Sequence, residues 1–340
     1  FKSKYCKVVS SGTAALHLIG KALKWSKKDN IILSPITFLA TANSILYSGA
    51  NLDFVDINLN DYSIDLNKLE EKIIKNNKKN KKTNTVIFTD YAGHPSDWKE
   101  ISYLSKKYNF RTINDNCHAL GAKYFNDIGY AAKYADGVIH SYHAVKNFTT
   151  GEGGAVLTNN KEIDENIKMN RNHGIVKNIK KKPVWYYEMR ELGFNYRITD
   201  FQCALGLSQI KKLNNNIKKK QEISNLYNYL FNNDERFILP KVNKDILHAY
   251  HLYPLRVNFK KLKISKSDFF DKLKNKGIIL QVHYIPIFLH PFYKKKYNFL
   301  KSNFKNSMKF YEQEFSIPIY ASLEKNKIKY IVNQIKNYLK

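Results

Sequence analysis

Short apolar runs alternate with helical patterns through the first half of this chain, and that alternation constrains its fold more than any other feature. Tyr5–Val9, Ile31–Leu33, Asp53–Asp56, Thr85–Asp90, Arg111–Asp115 and Gly137–His140 read as strands. Leu16, Ile19, Ala22 and Leu23 fall at helical spacing, Pro35 opens a helix running to Tyr47, and Leu66–Lys75 and Trp98–Lys107 follow the same pattern. Parallel strands need crossovers of this kind, so the pattern predicts an α/β fold with a mostly parallel central sheet flanked by helices. In such sheets ligands gather outside the carboxyl ends of the strands. Ser11–Thr13, Phe38, Tyr91, Asp115 and Ser141–Lys146 all fall at that edge.

Two of these ends carry the chemistry. Gly137–His140 leads into Ser141-Tyr-His-Ala-Val-Lys146-Asn-Phe-Thr-Thr-Gly-Glu-Gly-Gly154, and Ala155–Thr158 leads out, so Lys146 sits in a tight loop between strands. Gly151, Gly153 and Gly154 let that backbone turn close to another group. A lysine among apolar and small residues loses hydration of its charged form; its pKa falls and it becomes a usable amine nucleophile. The plain alternative is one more surface lysine in a lysine-rich chain. Upstream, Ser10-Ser11-Gly12-Thr13-Ala14-Ala15-Leu16 describes a strand–turn–helix, whose free N–H groups and positive dipole end favour a phosphate; an ordinary Ser/Thr cap reads the same way. Together, an acid at Asp115, an amine at Lys146 and a phosphate-type helix start are what pyridoxal 5'-phosphate requires. The amine binds the aldehyde, the carboxylate keeps the pyridine nitrogen protonated, and the helix start holds the phosphate.

Charge raises a competing reading. Lysine and arginine number 57 against 29 acids, a net charge of +28, yet arginine occurs only at Arg111, Arg171, Arg190, Arg197, Arg236 and Arg256. Specific base and phosphate reading recruits arginine forks. The lysine runs at 75–82, 177–182, 218–220 and 294–296 are scattered and read as solvated surface, with a general attraction for anionic substrates. A basic nucleic-acid-binding or regulatory protein is thereby set below an enzyme, and no nucleic-acid partner is expected. Cys6, Cys117 and Cys203 form neither a disulfide framework nor a metal spacing, which points to a reducing, cytoplasmic setting and no metal site. The uncharged stretch Asn30–Leu52 is long enough to cross a bilayer. Pro35, Asn43 and its serines and threonines argue against a membrane partner.

With 340 residues there is chain enough for two domains. Residues 1–212 are expected to form a large cofactor-binding domain, and 213–340 a smaller α+β domain entered by a linking helix. Thr199-Asp-Phe-Gln202 matches a capping box. Beyond Pro240, His251–Val257 and Ile278–Tyr284 read as strands, and Ser267–Lys276 and Lys325–Leu339 as helices. The chain opens at Phe1 almost directly into a core strand, so an N-terminal segment is expected to be missing.

These motifs, in this order, resemble the DegT/DnrJ/StrS sugar-nucleotide aminotransferases over nearly the whole chain. Ser11-Gly-Thr-Ala-Ala-Leu16 is similar to that family's phosphate turn, and Pro35-x-Thr37-Phe38-x-Ala40-Thr41-Ala42-Asn43 to its aromatic segment. Asp115-Asn-Cys-His118-Ala-x-Gly121-Ala122 is similar to its acid motif, Ser141–Gly154 to its lysine loop, and Gly193-x-Asn195-Tyr196-Arg197 to its cross-subunit loop. Asp90-Tyr91-Ala92-Gly93, Cys203–Gln209, His251-Leu-Tyr-Pro254 and Gln281-Val-His283-Tyr284-x-Pro286 resemble the branch that serves pseudaminic acid biosynthesis.

The resemblance implies a fold type I pyridoxal-phosphate enzyme, with Lys146 as Schiff-base lysine and proton shuttle and Asp115 paired with the pyridine nitrogen. Phe38 stacks on the ring, and Thr13, Ala14 and Ser141 hold the phosphate. Asn195 reaches it from the second subunit of a homodimer. His118 stands where many relatives have glutamine and is expected near the ring hydroxyl. Tyr91, His283 and Tyr284 are candidates for the sugar or diphosphate. The implied reaction moves an amino group from L-glutamate to C4 of a UDP-linked 4-keto-6-deoxy-2-acetamido sugar, the alternative being another nucleotide-sugar 3- or 4-aminotransferase. Lys146 argues against the dehydratases of the family, which carry histidine there.

Overall fold

The computed structural model describes residues 1–339. Its centre is a seven-stranded sheet built from β1 (Tyr5–Val9), β2 (Asn30–Leu33), β3 (Asn51–Phe54), β4 (Thr83–Thr89), β5 (Arg111–Asp115), β6 (Gly137–Ser141) and β7 (Gly154–Thr158). In space the order is β1-β7-β6-β5-β4-β2-β3. The pairs β2–β3, β2–β4, β4–β5 and β5–β6 are parallel, while β7 runs antiparallel between β6 and β1. The sheet is mostly parallel, as expected from the alternation.

Side chains alternate between two cores with the period of a strand. Ile32, Val86, Phe88, Val138 and Leu157 face one side with α3 (Leu66–Lys78) and α4 (Trp98–Tyr108). Ile31, Leu33, Ile87, Ile139 and Val156 face the other with α1 (Gly12–Ala22) and α2 (Leu39–Tyr47). These strands are apolar on both faces because both are covered. Helix α5 (Lys161–Asn170) packs beside α1. A hairpin, Ile175–Lys177 with Tyr187–Met189, then leads to α6 (Asp200–Ile210), whose Thr199–Gln202 capping box is formed as expected.

Helix α7 (Leu213–Phe231) joins the two cores: Leu213 and Ile217 pack against the sheet, Ile223, Tyr227 and Phe231 into a second core. That second core belongs to a three-stranded antiparallel sheet of β8 (Phe237–Ile238), β9 (Tyr253–Val257) and β10 (Glu314–Ile317). It is covered by α8 (Lys266–Asn275) and α10 (Lys325–Tyr338), while α9 (Lys305–Gln313) packs beside β9. The segment carrying Ile287, Phe288, Tyr293 and Phe304 crosses back into the large core.

Three expectations are corrected. Helix α2 starts at Leu39, not Pro35; Phe38 is its N-cap residue, with extended backbone at ψ 149°. The expected strand at residues 251–257 begins only at Tyr253. The stretch 278–284 is no strand: it makes one isolated bridge, Gln281 with Ser316, and is held by side chains instead. The uncharged stretch after Asn30 is strand, helix and strand, and no helix among the described residues is long and apolar enough to cross a membrane.

Candidate active site

Helix α1 begins where β1 ends. Ser11 Oγ accepts the Ala14 N–H at 3.0 Å, an ordinary cap, and leaves the N–H groups of Gly12 and Thr13 without a partner among the described residues. Gly12 lies so close to β6 that an added Cβ would come within 2.8 Å of Ser141 Cβ. Two free backbone donors at a helix start, walled by a serine, form a cup for an anion.

Strand β5 ends in Asp115, which is buried. Thr41 donates its hydroxyl to Oδ2 at 2.6 Å, and the Cys117 N–H points to Oδ1 at 3.3 Å. A chain of hydroxyls, Thr41–Thr37–Thr89, backs that contact at 3.2 and 3.0 Å. The carboxylate is thus oriented from α2 and from its own strand.

Beyond Ser141 the chain makes a tight excursion and returns as β7. Tyr142 N–H donates to Gly153 O and Thr150 N–H to Tyr142 O, both at 2.9 Å, and Gly151 adopts φ +77°. Tyr142 and Phe148 pack edge-on at 4.6 Å beneath the loop. Lys146 is half-buried above them. Burial lowers its pKa, while Cys117 and Asp115 oppose the shift. The amine is therefore closer to the neutral, nucleophilic form than a surface lysine.

These groups border a cavity of about 410 Å³, whose walls include Thr13, Phe38, Asp115, Ser141, Lys146 and Tyr284. Phe38 is 56% exposed, a large ring at a helix start that packs little of itself against protein. A second cavity, of about 860 Å³, opens between Lys220, Gln281 and Tyr320. Val145, Lys146, His251 and His283 line both.

His118 borders the first cavity. Its Nδ1 accepts the Ala92 N–H at 3.3 Å, which leaves Nε2–H to donate to the Tyr284 hydroxyl at 3.0 Å. Burial first, then Lys146 and His283, hold this imidazole well below its ordinary pKa, so it is neutral. His251 packs against it at 4.4 Å, with its Nδ1 buried and unpartnered.

The structure brings Thr13, Phe38, Asp115, His118, Ser141, Lys146, His283 and Tyr284 to one cavity. Ala14 does not reach it, because its N–H is spent on the Ser11 cap. Tyr91 does not reach it either. Its ring is buried against Tyr62 and Phe310, and its hydroxyl donates to the His283 carbonyl, so it supports the loop that carries His283 and Tyr284. Asn195 is exposed and lies away from its own chain's cavity. Thr41, His251 and Lys220 were given no role from sequence; Thr41 and His251 stood only as positions within the Pro35–Asn43 and His251-Leu-Tyr-Pro254 motifs.

A cofactor with a phosphate, an aromatic ring and a reactive aldehyde fits this arrangement: free helix-start donors, an exposed Phe38, an oriented carboxylate and a pKa-lowered amine share one wall. The DegT/DnrJ/EryC1/StrS aminotransferase family matches residues 1–336. A UDP-4-amino-4,6-dideoxy-N-acetyl-beta-L-altrosamine transaminase from Campylobacter jejuni is 40% identical over 328 residues, 96% of this chain and 84% of that protein. Helicobacter pylori PseC, an aminotransferase involved in the biosynthesis of pseudoaminic acid, superimposes with a TM-score of 0.88 at 32% identity, covering 99% of this chain and 87% of that one. A putative sugar aminotransferase from Streptococcus pneumoniae, solved in its PLP form, matches with a TM-score of 0.87 at 25% identity over 99% of this chain and 88% of that one. The chain therefore belongs to the DegT/DnrJ/EryC1/StrS aminotransferase family, as a sugar aminotransferase whose cofactor is pyridoxal phosphate.

Proposed function

We propose that this enzyme transfers the amino group of L-glutamate to C4 of a UDP-linked 4-keto-6-deoxy-2-acetamido sugar, in the manner of pseudaminic acid biosynthesis. The observation that carries this reading is the position of Lys146, on the shared wall of a cofactor-sized cavity and a larger one. The activity of the Campylobacter jejuni relative, a UDP-sugar transaminase, supports the sugar class. Bound in the smaller cavity, pyridoxal phosphate supplies an electron sink that lets a proton leave the carbon bearing the nitrogen.

The residues divide the work. The free N–H groups of Gly12 and Thr13 and the Ser141 hydroxyl bind the phosphate. Asp115, held in place by Thr41, keeps a proton on the ring nitrogen. Phe38 covers one face of the ring and shields it from water. Lys146 Nζ, neutral part of the time because burial lowers its pKa, takes the proton from the donor's carbon and later returns one to the sugar's C4. Lys220 and the net charge of +28 favour entry of a dianionic nucleotide.

A homodimer completes the site in this reading. Helix α6 buries only Gly206, leaving Phe201 91% and Leu207 69% exposed on an uncharged run. A face this apolar on a short helix fits cover by a second copy, and Asn195 just before it would then reach the partner's phosphate.

The test is incubation of the purified protein with L-glutamate and the 4-keto UDP-sugar, followed by NMR of the product. An amine at C4 is expected, with the visible cofactor band bleached by glutamate alone. Lys146→Ala is expected to lose both the band and turnover. A product aminated at C3, or turnover by Lys146→Ala, overturns the reading.

A further inference from the structure

Glu314 on β10 is fully buried and makes no salt bridge among the described residues. One carboxyl oxygen lies 2.6 Å from Ser316 Oγ, and the other accepts the His283 N–H at 3.1 Å. Two residues apart on a strand, Glu314 and Ser316 share a face. Ser316 Oγ in turn lies 2.9 Å from His283 Nδ1. The His283 carbonyl takes the Tyr91 hydroxyl, so both backbone groups and one ring nitrogen are held. The other, Nε2, has no protein partner among the described residues, and His283 lines both cavities that Lys146 lines.

This chain of three can run in either direction. With Glu314 ionised, Ser316 donates to it, Nδ1–H donates to Ser316, and Nε2 offers a lone pair. With Glu314 protonated, every bond reverses and Nε2–H points outward. We propose that Glu314, Ser316 and His283 form a proton relay that opens into the substrate cavity at His283 Nε2.

The role rests on the transamination proposed above, whose first half consumes a water and whose second releases one. Release of the keto acid needs water: as the C–O bond forms, the C–N bond breaks, with its electron pair and the water's second proton going to nitrogen. The water's first proton meanwhile passes to Nε2, Nδ1–H moves to Ser316, and the hydroxyl proton moves to Glu314. In the sugar half a C4–N bond forms as the C4–O bond breaks, and the departing oxygen takes one proton from that nitrogen and one back through the relay, leaving as water. The relay gains one proton in the first half and loses it in the second, so no outside acid is needed. Its neighbours suit this traffic. Burial pushes Glu314 up to about 8, against the pull of Ser316 and Lys266, and burial and Lys146 push His283 down to about 4. The imidazole thus passes protons while remaining neutral. Around Glu314 stand Lys266, Arg256 on the paired strand, Tyr62, Tyr91 and Tyr284; burial raises all three phenols, and they stay protonated.

The test combines a structural readout with half-reaction kinetics on the holoenzyme. Histidine ¹⁵N NMR, with the His283 signal assigned by His283→Asn, is expected to show its tautomer changing with pH at a midpoint well above the ordinary carboxylate range, because burial raises Glu314. Glu314→Gln should remove that change. Glu314→Gln and Ser316→Ala should each slow both water-handling halves by about 10²-fold, with Ser316→Thr restoring the rate. Loss of deuterium from the glutamate α-carbon, which depends on Lys146, should persist in both. A His283 tautomer that ignores pH from about 6 to about 10 overturns the relay, as do half-reactions within about twofold of wild type in both variants. A wild-type enzyme that exchanges no α-deuterium would instead sink the transamination itself.

Discussion

Asp115 owes its orientation to one hydroxyl. Thr41 reaches it at 2.6 Å from a different element, with Thr37 and Thr89 behind. A hydrogen bond to a buried charge contributes about 1.5–3 kcal/mol. Thr41→Val keeps the shape and removes the donor, so kcat/KM is expected to fall about 10- to 100-fold. Melting temperature should move little, because the valine fills the same space. A normal kcat/KM in that variant would show that Asp115 needs no such support. Asp115 and Phe38 were readable from the chain because one ends a strand and the other starts a helix, and Lys146 because it sits in the glycine-rich loop between two strands. Thr41 was not, because its partner lies 74 positions away.

At the scale of elements, α9 shows how the sheet and the C-terminal half are tied together. Its own N-cap residue, Phe304, offers no side-chain acceptor. Asp56, just past β3, takes the Asn306 N–H at 3.0 Å, the Ser307 N–H at 2.8 Å and the Ser307 hydroxyl at 2.6 Å. A distant carboxylate thus caps the helix. Burial alone would raise the Asp56 pKa; Ser307, Asn306 and Lys68 outweigh it and hold it below its ordinary value. Stability from this group is therefore present above the unfolded carboxylate range, near pH 4, and is lost as pH falls through the lower folded value. Asp56→Ala is expected to cost about 2–4 kcal/mol near pH 7, read as a lower denaturation midpoint in urea. The gap to wild type should shrink below about pH 4. A gap that stays constant down to acid pH would mean the loss is one of packing rather than charge.

For the whole molecule the open question is what covers α6. Phe201→Asp with Leu207→Asp places charge on side chains that stand largely exposed among the described residues. Such a change leaves the monomer's core intact, so circular dichroism should be unaltered. If a second copy sits there, light scattering is expected to show the mass halved and turnover lost by at least about 10-fold, since Asn195 would no longer reach its neighbour. A dimeric, active double variant would place the interface elsewhere. Net charge acts at this scale too: apparent KM for a dianionic nucleotide-sugar should rise with ionic strength, as steering by exposed lysines is screened.

Periodicity by itself determined the α/β class, the strands β1 to β6, the helices between them and the edge at which Asp115 and Lys146 stand. Each of those signals is local, written in residues a few positions apart. Tertiary structure decided the rest. The direction of β7 was invisible, because a short apolar run reads alike in either sense and only pairing with β6 and β1 sets it. Residues 278–284 have strand composition yet form none; their backbone is held instead by Glu314 and Ser316, and His283 is thereby aimed at the site. Tyr91 looked like a ligand contact and proved a buried prop, since only the assembled core reveals which side of a strand end is open. Local pattern can say where a side chain leaves the sheet; what it meets there depends on segments far away in the chain.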